Sequence, residues 1–174
     1  YGSDYFYEQL SDEENKYWDD LDAICAKYLT TETDAVTTNT GTYRMKAISG
    51  STLEKEKQKK VLRMFRYSKP QYYFLNATIY TITYSDKKVS MIFGIYPAFG
   101  KGADRMEETE KVKAQVDTWQ KQIDECSTED EKVQTIHDLI IQKVEYNHDL
   151  VNSDFATENT EYSQSVYSVL CTNK

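Results

Sequence analysis

The sequence predicts an α+β fold in which a small antiparallel sheet of about three strands packs with about four helices. Two observations carry this prediction. Four segments repeat apolar residues at helical spacing, and two alternating, strand-like segments stand between the second and third of them. A short polar connection joins the two strand-like segments, which favours an antiparallel hairpin over parallel βαβ units.

The first two helices are predicted from capping signals. One follows the capping-box pattern Ser11–Glu14 and ends near Thr30-Thr31. The next starts with a similar pattern, Ser51–Glu54, and runs to about Tyr67, because Pro70 cannot lie inside it. Its predicted buried side consists of Gln58, Val61, Leu62 and Phe65.

The third helix is predicted from about Asp104 to Glu125. Its apolar stripe is Val112, Val116, Trp119 and Ile123, and we expect Trp119 and Ile123 to be buried against the sheet. The fourth begins after the acidic N-cap segment Ser127–Asp130 and ends around Glu145-Tyr146. Its predicted buried face is Val133, Ile136, Ile140 and Val144.

Three segments have strand character. Tyr72–Tyr84 is rich in Tyr, Ile and Thr, Val89–Tyr96 alternates, and Ser85–Lys88 joins the two as a hairpin. The segment Thr42–Ile48 also alternates and supplies the third strand. After a polar, turn-like stretch, Ser163–Leu170 regains apolar periodicity and predicts the start of a short helix.

The amino-acid composition limits the kinds of partner that we expect for this chain. The net charge of −8 disfavours nucleic-acid binding, because an acidic surface repels phosphates. The basic run Lys55–Lys60 is interpreted as a solvated helix face. No apolar stretch reaches the ~18–20 residues of a membrane helix, so we expect no membrane span in this chain.

A search for catalytic patterns predicts no catalytic, cofactor-binding or metal-binding residues. Cys25 and Cys126 are interpreted as small buried hydrophobes that need not pair, and the two histidines, His137 and His148, as ordinary helix-flank and turn residues. The oxygen-rich segment Asp149–Glu158 lacks the central glycine of a calcium-binding loop. No cofactor is therefore expected.

Aromatic residues on or beside the predicted sheet leave one binding alternative open. Exposed rings on one face can stack on sugars or peptides, which predicts a free-standing extracellular adhesion module. The other interpretation is that these rings pack beneath the helices. The residues concerned are Tyr72, Tyr73, Phe74, Tyr80, Tyr84 and Tyr96.

Four local strings follow one another along the chain: Tyr7–Glu14 before a helix, Lys69–Leu75 before a hairpin, Thr135–Ile140 leading to Tyr146, and Tyr162–Leu170. In sequence and in order they resemble secreted bacterial proteins of the transglutaminase-like superfamily. In the family, a Pro-x-x-Phe-Phe/Tyr-Leu strand opens a small α/β region. A Ser-Ala-Tyr-x-x-Leu segment then leads into the helix that carries the nucleophilic cysteine.

The resemblance implies two parts, an α+β domain over 1–126 and the first helices of an incomplete papain-like core over 127–174. It also implies an extracellular or cell-surface location, and a protein or peptide substrate for the complete protein. The chain ends before the family's Val-Cys-x-Gly-Tyr-Ala motif, so no catalytic role transfers to Cys171. We therefore expect a non-catalytic scaffold, or one wall of a substrate cleft, whether or not the complete protein is an enzyme.

Overall fold

A computed structural model shows a five-stranded antiparallel sheet packed with helices, so the predicted α+β class is confirmed. The structure describes residues 2–38, 41–45, 48–51, 53–83, 89–152, 162 and 165–172. Its α-helices are α1 (Asp12–Thr30), α2 (Lys55–Ser68), α3 (Gly102–Asp124), α4 (Glu129–Lys143) and α5 (His148–Asn152). Shorter helical turns are Tyr7–Gln9, Pro97–Phe99 and Ser168–Thr172, the last of which is called the C-terminal turn.

The predicted capping box of α1 is confirmed, and the predicted N-cap segment of α4 contains a second capping box that was not predicted. Ser11 caps α1 through the backbone N–H of Glu14, and the Glu14 side chain accepts from the Ser11 backbone N–H. Thr128 and Glu131 form the same reciprocal pair at α4. Each box satisfies backbone donors that a helix start leaves without an intrahelical partner, which is why these two ends follow from local sequence.

The predicted start of α2 at Ser51 is wrong. Ser51 ends a strand and pairs with Val89, while α2 begins at Lys55 after Glu54, which makes no side-chain cap. The backbone of Ser51 therefore belongs to a strand, because it pairs with a residue distant in sequence, and not to the helix that the Ser-x-x-Glu pattern predicts. The buried side of α2 is as predicted, with Ser68 added to Gln58, Val61, Leu62 and Phe65.

The sheet is built around one long hairpin. Its strands are β1 (Val36–Thr37), β2 (Tyr43–Arg44), β3 (Ile48–Ser51), β4 (Leu75–Thr83) and β5 (Val89–Ile95). β5 pairs with β4, β3 and β2, and β1 extends the sheet beyond β2, always antiparallel. In the part of the chain that the structure describes, β4 pairs only with β5 and is therefore an edge strand.

The sheet has more strands than the sequence predicts. Within Thr42–Ile48 the structure has the short strand β2 and the start of β3, with Met45 buried between them and bonded through its N–H to the Phe93 carbonyl. Residues 46–47, Tyr84 and the connection Ser85–Lys88 lie outside the described residues. The two-residue strand β1 is too short to leave a recognisable alternation in the sequence.

The core lies where α1 and α2 pack on each other and on the sheet. Trp18 of α1 meets Phe65 of α2 edge-to-face at 5.0 Å between ring centroids. Phe65 in turn stacks on Tyr72 at 5.6 Å, with the rings 6° from parallel. Aromatic contacts of this kind stabilise the core beyond the area that they bury.

The prediction that Trp119 and Ile123 are buried against the sheet is wrong, because both are half-buried. α3 has 23 residues and is about 35 Å long, so it extends past the small sheet. Its buried residues are in the first half, up to Val112, and its packing partners include α1, α4 and the C-terminal turn. Trp119 and Val116 cover the edge of the core from one side only.

The predicted buried face of α4 is also wrong. Val133 is 66% exposed, Ile136 38% and Ile140 40%, whereas Val144, just beyond the helix, is half-buried. The side that approaches α3 carries Thr135 and Leu139 instead, both half-buried. α4 packs on α3 and the C-terminal turn, so only a narrow side of the helix is covered, and it is not the most apolar one.

A buried arginine connects the helices. Arg105 of α3 is fully buried and donates to four main-chain carbonyls, those of Tyr28, Phe99, Thr31 and Thr33. The bond to the Tyr28 carbonyl is 2.8 Å long, and the bond to the Thr33 carbonyl is 2.6 Å long. The positive guanidinium thus sits at the C-terminal end of α1, where the helix dipole favours a cation.

Candidate functional site

One side of α2 carries a row of cations. Lys55, Lys59, Arg63 and Arg66 follow one another at spacings of four, four and three residues, which places them along the same side of the helix. The neighbouring side of α2 is the buried one, with Val61 and Phe65 in the core. The row therefore lies at the boundary between the core and solvent.

The turn after α2 folds two tyrosines inward. The N–H of Lys69 bonds to the carbonyl of Phe65, and the N–H of Tyr72 to the carbonyl of Lys69. The Tyr72 hydroxyl then donates to Asp22 at 2.6 Å. The Tyr73 hydroxyl lies 3.0 Å from the carbonyl oxygen of Arg105. Both hydroxyls are thus held by the protein.

The C-terminal segment comes to the same place. Tyr167 stacks on Tyr73 with 5.4 Å between ring centroids and also meets Phe99 edge-to-face at 5.0 Å. This stack places Ser165 and Val166, which precede Tyr167, opposite α2. Two strings that are far apart in sequence, around Pro70 and around Val166, therefore border one groove.

This groove, called here the basic groove, has a volume of about 590 Å³. Its cations are Lys55, Lys59, Arg63, Arg66 and Lys69, and its other lining residues are Leu62, Tyr67, Pro70, Tyr72, Tyr73, Leu75, Ile79, Ser165 and Val166. None of these described residues has a carboxylate. In a chain of net charge −8, the groove is therefore a local concentration of positive charge.

Two of the groove cations have modest partners within the protein. Lys59 forms an exposed ion pair with Glu56 at 2.8 Å, a kind of surface pair that contributes little to stability. Arg66 donates to the Tyr96 hydroxyl at 3.4 Å, a long and weak bond. The partners that the described residues give to Lys59 and Arg66 are therefore weak, which leaves both cations able to bind a ligand.

The groove has the chemistry of a binding site. Its described lining contains no His, Cys, Asp or Glu, and its ionisable groups are lysines, arginines and tyrosines. Ser165 is its one small hydroxyl, and that hydroxyl donates to the carbonyl of Tyr162 at 2.6 Å. Cations, aromatic edges and apolar surface remain as the groups that contact a ligand.

Of the two cysteines predicted to be small buried hydrophobes, the structure buries Cys25 but only half-buries Cys126. In the described part of the chain all three are free, Cys25 is buried, and Cys126 and Cys171 are half-buried. Burial, followed by the charge of Glu108, raises the pKa of the Cys171 thiol, which Lys143 and Lys111 only partly oppose. An activated cysteine requires the opposite shift.

The two histidines lie apart from the groove. The Nδ1 atom of His137 is 3.2 Å from Asp138 on the exposed side of α4. His148 packs its ring edge-to-face on Tyr146 at the start of α5. Much of the segment Asp149–Glu158 lies outside the described residues, so its interpretation stays a prediction.

The described residues contain neither a metal-binding cluster nor a helix that could cross a membrane. No cluster of three or more His, Cys, Asp or Glu side chains there is arranged to hold a metal ion. Among the described helices, none combines the length and the apolar character needed to cross a membrane.

The tyrosines of the sugar-stacking alternative are mostly inside the protein. Tyr72, Tyr73, Phe74 and Tyr96 are buried and do not form an exposed aromatic face, although Tyr72 and Tyr73 also line the basic groove. The side chains of Tyr80 and Tyr84 lie outside the described residues. Burial of Tyr72, Tyr73 and Phe74 follows from the turn after α2, which directs them under the helices instead of continuing the strand from Tyr72, whereas Tyr96 follows β5.

Neither this groove nor its row of cations was predicted from the sequence. The lysines of the run Lys55–Lys60 are exposed, as predicted, while Gln58 within it is buried, and two of the lysines also line the groove. A signal was available, because Lys55, Lys59 and Arg63 recur every four residues and Arg66 continues the row.

No protein-family model, curated protein or solved structure matches this chain.

Proposed function

We propose that this chain is the non-catalytic, substrate-binding wall of an exported, extracellular or cell-surface protein of the transglutaminase-like type, and that a peptide segment binds in the basic groove. One observation carries the proposal. The strings around Pro70 and Val166, on which the resemblance to that superfamily rests, border the same groove. The cations and apolar side chains of its described lining support a role in holding a substrate.

The dimensions of the groove support a peptide ligand. A volume of about 590 Å³ falls in the range of roughly 300–1,000 Å³ that is typical of ligand sites. Its lining mixes charged groups with Leu75, Ile79 and Val166, so both polar and apolar side chains find partners. An open groove between a helix and an edge strand also suits an extended chain better than a compact small molecule.

Contacts within the protein hold two of the tyrosines that line the groove in place. Tyr72 is fixed by its bond to Asp22 and its stack on Phe65, and Tyr73 by Thr109, whose hydroxyl lies 3.0 Å away. Side chains held in this way do not have to be ordered when a ligand arrives, which reduces the entropy cost of binding.

A peptide-binding assay tests the proposal. The probe is a fluorescein-labelled pool of random peptides of about eight residues, and fluorescence anisotropy is measured up to about 1 mM protein. Val166→Trp places a bulky ring in the groove and should weaken binding by about tenfold. The matched control is Val133→Trp, at a position 66% exposed on α4, which should leave binding unchanged.

Both variants are first compared with the parent chain by thermal melting, so that loss of fold is not mistaken for loss of binding. If the pool does not bind, or if the two variants weaken it equally, the groove is not the peptide site and the proposal fails.

A further inference from the structure

The spacing of the groove cations matches an extended chain. Residues four apart on an α-helix are separated by about 6 Å along its axis. Alternate residues of a β-strand, whose side chains point to the same side, are separated by roughly 6.6 Å. Lys55, Lys59 and Arg63 of α2 are therefore nearly in step with every second residue of a strand lying along the helix.

The charge of the groove calls for acidic side chains in that strand. A bound peptide covers ammonium and guanidinium groups, and covering a charge without pairing it is costly. The described lining residues supply no carboxylate to offset this cost. A ligand with Asp or Glu at alternate positions supplies counter-charges that the described lining lacks, whereas a neutral ligand supplies none.

The remaining surface of the groove suits the intervening residues. Leu62, Leu75, Ile79 and Val166 offer apolar contacts beside the cations. In an extended peptide that alternates acidic and apolar residues, one side of the chain faces the cations and the other is available to these contacts. Apolar burial then adds affinity that does not depend on salt.

The acidic remainder of the molecule disfavours long polyanions. The cations of the groove stand out against a net charge of −8, so a nucleic acid long enough to leave the groove meets a repulsive surface. A short acidic peptide stays within the positive region. The same field steers such a peptide towards the groove from solution.

We infer that the basic groove selects extended peptide segments in which acidic residues alternate with apolar ones. This inference rests on the proposed function, in which the groove binds a peptide. It adds the substrate class, which follows from the four-residue spacing of Lys55, Lys59 and Arg63 and from the lack of carboxylates in the described lining.

Two labelled peptides of about eight residues test the inference. One alternates Glu with Val, and the other alternates Gln with Val, so that they differ in charge and hardly in shape. We expect the Glu peptide to bind more than about tenfold more tightly at low salt, with the gap narrowing at about 0.15 M salt.

Charge variants locate the selectivity. The double variant Lys59→Gln with Arg63→Gln should weaken the Glu peptide by about tenfold and leave the Gln peptide unchanged. The matched control, Lys27→Gln with Lys121→Gln, changes the net charge equally at exposed positions that do not line the groove, and should affect neither peptide.

The outcomes separate this inference from the proposed function. Equal binding of the two peptides would overturn the selectivity and leave peptide binding standing, whereas failure of both, together with the random pool, would overturn peptide binding itself. A third probe is a single-stranded oligothymidylate of similar length. If it binds as tightly as the Glu peptide, the groove is a general polyanion site and the inferred substrate class is wrong.

Discussion

The Tyr167 hydroxyl donates a hydrogen bond of 2.5 Å to Glu108 Oε2, which connects the C-terminal segment to α3. The other carboxylate oxygen, Oε1, accepts from Lys111 at 2.8 Å. Burial acts to raise the pKa of Glu108, but the bonds from Lys111 and Tyr167 outweigh it and lower that pKa. One carboxylate therefore holds in place the segment that brings Val166 to the groove.

Removing the Tyr167 hydroxyl should loosen this segment without unfolding the protein. Tyr167→Phe retains the ring contacts with Tyr73 and Phe99 and loses one bond to a charged group, worth about 1.5–3 kcal/mol. Amide hydrogen exchange should become faster across the C-terminal turn. Tyr167→Ala also removes the ring and should cost about 3–5 kcal/mol in a urea melt. Equal stability of Tyr167→Phe and the parent chain would mean that the hydroxyl contributes nothing.

Replacing Arg105 should be among the most destabilising single changes. Arg105→Met leaves buried carbonyls at Tyr28, Thr33 and Phe99 without their donor, and we expect a loss of about 3–5 kcal/mol. Arg105→Lys should rescue little, because one ammonium cannot reach the same spread of acceptors. Arg63→Met, at an exposed position, is the control and should change stability by less than about 0.5 kcal/mol.

The buried carboxylate of Glu14 should give stability a defined acid dependence. Its bond from the Ser11 backbone N–H, and then its bond from Lys60 at 2.9 Å, lower the pKa of Glu14 to about 2 from 4.5. Because the folded-state pKa is depressed, this contribution is present above about pH 4.5 and is lost as the pH falls towards about 2.

Urea melts of the parent chain and of Glu14→Gln measure that dependence. At neutral pH the variant should be less stable by on the order of 2–3 kcal/mol, and the gap should close between about pH 4.5 and 2. Lys60→Met should move the closure to higher pH, because one stabilising partner of the carboxylate is gone. A gap that does not change with pH would contradict the ionised, bonded state of Glu14.

Cys171 should react slowly with alkylating agents. Since burial, and then Glu108, raises the pKa of its thiol, the iodoacetamide rate should have a midpoint above the ordinary value of about 8.5. Glu108→Gln removes a negative charge and should lower the midpoint. Cys126→Ser provides a background in which Cys171 is the accessible thiol, because Cys25 is buried.

Two outcomes would contradict this account of Cys171. A midpoint near about 6 would indicate an activating partner. Ammonia release from a glutamine peptide that is abolished by Cys171→Ser would show acyl-transfer activity in the chain.

The two tryptophans should differ in their contribution to stability. Trp18 is fully buried, and Trp18→Ala should cost about 3–5 kcal/mol. Trp119 is half-buried on α3, and Trp119→Ala should cost about 1–2 kcal/mol, since less apolar area is lost from contact. Denaturant melts compare the two. Equal costs would place Trp119 in the core and restore the prediction made from the α3 stripe.

Local patterns were sufficient where the structure is local. The capping boxes at Ser11 and Thr128 lie at true helix starts, because a cap and its partner are three residues apart. The hairpin of β4 and β5 also follows from its own sequence, since antiparallel neighbours need only a short connection.

Contacts between residues far apart in sequence determine the features that local patterns did not predict. Ser51 entered a strand because Val89 was available to pair with it, and no local rule contains that fact. The apolar side of α4 was identified correctly as apolar and wrongly as buried, because Val133 and Ile140 are covered only if a neighbour lies on that side. The groove depended in the same way on Val166, which arrives from the far end of the chain.

The acceptors that the described residues offer to Arg105 are all main-chain carbonyls, from Tyr28, Thr31, Thr33 and Phe99. Any amino acid has such a carbonyl, proline included. These hydrogen bonds therefore require the arginine but no particular side chain at its four acceptors. A requirement for particular side chains comes instead from the rings of Tyr28 and Phe74, whose centroids lie 5.1 Å and 5.5 Å from Arg105 Cζ. Covariation between aligned positions, which detects pairs of side chains that change together, should therefore be blind to the four hydrogen bonds and sensitive only to the ring contacts.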